Sequence, residues 1–137
     1  MTLKNIITHP LAVMISFMIV LISGEHVGGF YIIYLLMGIT HGTIHSLLGM
    51  AGIALLVPGL LTSQRKQASS IYLLNIIGAI CMMISLFFFF FNDEQRYNIS
   101  TFYQFIPFCT IILFCLLSLI FMAGNIRTIL RPGIIKK

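Results

Sequence analysis

Four apolar tracts, separated by short polar stretches, run through the 137 residues. Each approaches the roughly 20 residues that a bilayer-crossing helix takes. The first predicted helix covers residues 6–23, with Pro10 tolerated in its first turns. A polar, glycine-rich turn follows, running from Ser23 and Gly24 through Glu25, His26 and Val27 to Gly28 and Gly29. The second tract, residues 30–61, is 32 residues long. As one helix it would measure about 48 Å, more than the ~30 Å hydrocarbon core but too little for two crossings. It is therefore read as one long, tilted span over residues 30–57, ending at Val57 because Pro58 disfavours helix at the residue before it. The third span, 71–91, finishes in five consecutive phenylalanines, and the fourth, 101–123, carries Pro107 in its second turn.

Composition supports lipid as the solvent. Hydrophobic residues make up 59% of the chain and charged residues 8%, against roughly 25% charged in a soluble domain. The expected fold is an all-α membrane protein, a single domain of four transmembrane helices over residues 1–137, with no catalytic domain outside the bilayer. Lys4 followed by the apolar run 11–22 has the first two regions of a signal peptide. No small-x-small cleavage site follows, so the segment is read as retained. Cys81, Cys109 and Cys115 all lie inside apolar runs and read as small buried hydrophobes rather than a disulfide framework.

Charge gives the orientation. With both termini cytoplasmic, the inside holds Lys4, Arg65, Lys66, Arg127, Arg131, Lys136 and Lys137, and the outside only Arg96. That is a positive-inside pattern. Glu25, Asp93 and Glu94 fall outside, as do the aromatics Tyr31, Tyr34, Phe87–Phe91, Tyr97, Phe102 and Tyr103. The net charge of +5 is thus explained by topology and not by nucleic-acid binding. The basic tail, 125–137, offers Arg127, Arg131, Lys136 and Lys137 to anionic lipid headgroups, at about 1 kcal/mol each. Lysine and isoleucine usage points to a bacterial inner membrane.

The second helix carries the candidate chemistry. Gly38, Gly42, His45, Gly49 and Gly52 recur at steps of four, three, four and three, a stripe that lets another helix approach closely. It packs either on the chain's own neighbours or on another subunit. His41 and His45 stand one turn apart near the middle of this span, among Thr40, Thr43 and Ser46. Ionisable groups inside a membrane are functional candidates. The pair fits a metal site only with further ligands; one histidine could serve a haem, and either could relay protons or hold a quinone-like headgroup. Both could also simply hydrogen-bond to neighbouring helices. Glu25 and His26 form a second, weaker feature near the outer surface, able to receive a proton, a cation or a partner's arginine. Asn75 and Asn125 read as interfacial hydrogen-bonders.

Phosphate-cradling loops, a nucleophile elbow and paired intramembrane carboxylates are missing from the sequence. The leading expectation is a small accessory subunit of a larger respiratory or transport complex, packing through the glycine-lined helix against other membrane subunits. The alternative is a homo-oligomeric transporter or channel moving protons or a small ion along Glu25, His41 and His45. A redox protein binding haem, metal or quinone comes third.

Overall fold

A computed structural model describes residues 9–24, 28–62, 68–92 and 98–130. The chain is mostly helical, and three of its helices are long and apolar enough to cross a membrane. It is a membrane protein.

Helix α1 (Pro10–Met18) begins with Pro10 in its first turn and His9 as its cap, whose ring nitrogen accepts the Leu11 N–H at 3.2 Å. Proline suits that position because its missing N–H has no intrahelical partner there and its φ is already helical. Val13 and Phe17 are fully buried on the inner face. The expected helix to Ser23 is not what forms: helix stops at Met18, and residues 1–8 lie outside the described set. Strand β1 (Leu21–Ser23) pairs antiparallel with β2 (Gly28–Phe30), Leu21 opposite Phe30 and Ser23 opposite Gly28. Tertiary partners make this possible. The Leu21 and Ser23 N–H groups donate to the hydroxyls of Thr110 and Thr101, each at 3.0 Å, and Ser100 donates to the Ser23 carbonyl.

The second tract is not one rod. It forms α2 (Tyr31–Thr40) and α3 (Ile44–Leu61), joined at His41, Gly42 and Thr43. Gly42 has φ +63°, a left-handed conformation that glycine adopts without steric penalty. The contacts across the break show that the chain folds back. Leu35 packs on Gly49 and Ser46 on Gly38, pairs placed symmetrically about residue 42. In a continuous helix residues 38 and 46 would stand about 12 Å apart along the axis. α3 also runs past the expected stop at Val57, with Pro58 inside its last turn and the Thr62 N–H closing on the Pro58 carbonyl.

α4 (Ser69–Phe91) lies antiparallel to α3, the most extensive helix pair in the chain. Gly52 and Gly78 bring the two backbones together: a Cβ on Gly52 would stand 2.8 Å from the Gly78 carbonyl oxygen. A 3-10 segment (Ile99–Tyr103) then leads into α5 (Phe105–Leu130). This last helix starts and ends later than the expected 101–123. Pro107 therefore falls in its first turn, where no hydrogen bond is lost. α5 returns along α4 and also faces α1 and β1: Phe17 of α1 meets Phe114 and Leu21 of β1 meets Thr110, in antiparallel order. One end of the bundle holds the end of α3, the start of α4 and the end of α5. The other holds the helix break, the strands and the phenylalanine run.

Candidate functional site at the helix break

The break gathers side chains from α2, α3 and α4. Ser85 on α4 donates to the His45 carbonyl at 2.6 Å, and the Tyr31 hydroxyl lies 2.8 Å from the Ser85 oxygen. A serine hydroxyl has one proton. With it given to His45, Tyr31 is the donor to Ser85. Thr43 lies 3.2 Å from the Gly38 carbonyl, 2.9 Å from the Ser46 hydroxyl and 3.5 Å from Nε2 of His45. Ser46 and Ser85 are both fully buried. Phe89 underlies the group, its ring 5.0–5.4 Å from those of Tyr31, Tyr34 and His45.

The geometry explains why the break is stable. A chain reversal among apolar helices leaves backbone groups without helical partners, and these must be satisfied locally. The N–H groups of His41 and Thr43 reach the Gly38 carbonyl, and that of Gly42 reaches Ile39. The Tyr31–Ser85–His45 chain ties the start of α2 to the first turn of α3, and the Gly38–Ser46 contact ties its end to the same place.

The sequence candidates are distributed as follows. His45 is half-buried in the first turn of α3. His41 is exposed, in the connecting turn and on no helix. The two are therefore not successive turns of one face at mid-span, because Gly42 reverses the chain between them. Gly42 has open space around it and takes no part in packing. Gly38, Gly49 and Gly52 are buried, and their neighbours are Ser46, Leu35 and Met82 of this same chain. Glu25 and His26 lie outside the described residues, as do Arg131, Lys136 and Lys137; Arg127 is exposed in the last turn of α5. The three cysteines are unbridged.

Tyr31, Tyr34, Ser85 and Phe89 belong to the group although nothing in the chain's periodicity marks them. The aromatics stand out only as interfacial rings, and Ser85 only as a hydroxyl within an otherwise apolar run. Two groups keep bonding capacity: Nε2 of His45, with only its long contact to Thr43, and the Tyr34 hydroxyl, buried without a partner among the described residues. They can offer a hydrogen bond or accept one. Among the described residues no three His, Cys, Asp or Glu side chains come together as a metal would need.

A second polar cluster lies at the end of the bundle opposite the break. The Asn75 amide donates to the Asn125 side-chain oxygen at 3.2 Å, and Asn125 donates to the Phe121 carbonyl at 2.8 Å. Gly59 lies against Asn75, leaving no room for a Cβ.

The chain matches no known protein family, no characterised protein and no solved structure.

Proposed function

We propose that the chain is a small accessory subunit of a larger membrane assembly, docked through the outward face of α2 and the start of α3. One observation carries this. α2 has ten residues, about 15 Å of helix, half the thickness of the hydrocarbon core. Its outward face nevertheless exposes Ile33, Leu36 and Met37, each at least half accessible, and Ile44 and Leu47 of α3 continue the patch. A helix lying at the membrane surface keeps a charged or polar face to water, and α2 has no charged residue at all. Cover by a neighbouring membrane subunit meets that requirement. The contact is placed here and not on the glycine stripe, because Gly38, Gly49 and Gly52 already hold this chain's own side chains.

In this reading the first apolar tract, 6–23, supplies the fourth crossing, both termini are cytoplasmic in a bacterial inner membrane, and Arg127, Arg131, Lys136 and Lys137 hold anionic headgroups. The antiparallel course of α1 and β1 along α5 supports it. His45 and the Tyr34 hydroxyl then offer polar contacts at the edge of the docking face.

Purification of the tagged chain in mild detergent tests the proposal. Stoichiometric membrane proteins should co-purify and be lost on Met37→Glu, while the variant keeps its helix content. A stable homo-oligomer with no co-purifying protein would sink it.

The broken helix favours one other reading, since discontinuous helices bind ions and substrates in many transporters. A homo-oligomer would then move protons or a small ion past Glu25, His41 and His45. Flux in liposomes that is unchanged in a His41→Ala, His45→Ala double variant rejects it. Haem, as a redox alternative, requires a Soret band in the purified protein.

A further inference from the structure

At the end of the bundle that holds the helix break, a cleft of about 170 Å³ opens between α4 and α5. Its floor is Leu86, Phe90, Ile111 and Phe114, all less than a tenth exposed. Phe102 closes the outer end, its ring 4.7 Å from that of Phe90. Phe87 and Phe91, their rings 4.9 Å apart and 59% and 45% exposed, form its lip on α4. Cys115, half-buried, completes one wall.

We infer that this cleft is a binding site for one acyl chain of a membrane phospholipid. Three features select that occupant. First, water does not fill it. A buried water needs two to four polar partners, and the walls are hydrocarbon and aromatic rings apart from one thiol. A dry cavity of roughly 150 Å³ with similar walls accepts a benzene-sized hydrocarbon, so the volume is adequate for a segment of chain. Second, the mouth is continuous with the apolar surface that two spanning helices turn to the bilayer, where Ile84 and Ile112 are also exposed. The molecules in contact with that surface are lipid chains. Third, a quinone ring would bring two carbonyls into a site whose sole donor is the weak Cys115 S–H, whereas a methylene chain brings no polar atom. The inference rests only on the chain being a membrane protein and is independent of any partner subunit.

Lipid extraction from the purified full-length chain tests it. After exchange into a delipidating detergent, the wild type should retain about one phospholipid per chain. Cys115→Phe fills the cleft and should lower retention at least tenfold, while Cys109→Phe, on the exposed side of the same helix, should leave it unchanged. Equal retention in all three proteins, no retained phospholipid in the wild type, or a stoichiometric quinone in the extract overturns the inference. Should Cys115→Phe not fold, tryptophan fluorescence decides, because the chain has no tryptophan of its own. Phe91→Trp at the mouth should be quenched by acyl-brominated phospholipid at a several-fold lower mole fraction than Leu116→Trp on the open face of α5. Coincident quenching curves count against a site.

Discussion

The hydroxyl of Ser85 donates to the backbone carbonyl of His45 across the α3–α4 interface, at 2.6 Å. The carbonyl belongs to the first turn of α3, and Ser85 receives in turn the hydroxyl of Tyr31 from α2. One side chain on an unbroken helix thus holds both halves of a broken one. Ser85→Ala should destabilise the protein by about 0.5–1.5 kcal/mol, the usual range for interhelical hydrogen bonds in membranes. Tyr31→Phe should cost a similar amount. The double variant should cost less than the sum, because both substitutions interrupt one chain of bonds. Thermal or SDS-driven unfolding in detergent measures all three. Strict additivity would mean that the two hydroxyls act separately.

The glycines divide into two kinds, and substitution should separate them. At Gly52 a Cβ would meet Met82 and the Gly78 carbonyl oxygen, which is backbone and cannot move aside cheaply. Gly52→Ala should therefore cost about 1–3 kcal/mol, as overpacking does. At Gly42 nothing lies within reach of a Cβ, and only the positive φ opposes a side chain. Gly42→Ala should cost about 1–2 kcal/mol and Gly42→Asn distinctly less, because asparagine tolerates the left-handed region. If asparagine and alanine at position 42 behave alike, the turn does not depend on that conformation.

The two histidines should also differ. His45 packs edge-on against Phe89 at 5.2 Å, while His41 is exposed in the turn. His45→Ala removes a half-buried ring from the break and should lower stability by about 1 kcal/mol or more. His41→Ala should stay within about 0.5 kcal/mol of the wild type, as exposed substitutions do. Parallel melting curves of the two variants check this, and a larger loss for His41 would contradict the placement.

Much of the helical plan is legible in the sequence. The expected third helix, 71–91, appears as Ser69–Phe91, because a long apolar run between polar loops admits few other structures. At Gly49 and Gly52 a Cβ would meet Leu35, Ser85, Met82 and the Gly78 carbonyl of this same chain. The errors share one cause. Hydropathy reports which solvent a segment prefers, not where its backbone bends. Gly42 sits in an apolar tract and fits a packing stripe, so its role as the reversal point had no separate signature. The polar run from Thr40 to Thr43 is the available hint, but hydroxyls beside a histidine pair suit the lining of a site equally well. Leu21, Ile22 and Ser23 are likewise ambiguous, since a short apolar run serves strand or helix equally. Their extended form depends on Thr101 and Thr110, about 80 residues away, which local pattern does not reveal.

At the end of the bundle opposite the break, Asn75 and Asn125 join α4 to α5, and the bonding within the pair is unequal. Asn125 gives its amide to the Phe121 carbonyl and accepts from Asn75, whereas the Asn75 side-chain oxygen is buried with no hydrogen-bond partner among the described residues. Removing one member of a buried pair leaves the other's desolvation uncompensated. Asn125→Ala strands the Asn75 donor beside an acceptor that already lacks a partner. Asn75→Ala, by contrast, removes that orphaned oxygen and leaves Asn125 still bonded to Phe121. Asn125→Ala should therefore be the more damaging by about 1 kcal/mol, although Asn75 is the more deeply buried of the two. The Asn75→Ala, Asn125→Ala double variant should be no worse than Asn125→Ala alone. SDS titration of the three variants against wild type reads these differences. Equal single losses would mean that the Asn75 oxygen is bonded after all, through a water molecule held between α3 and α4.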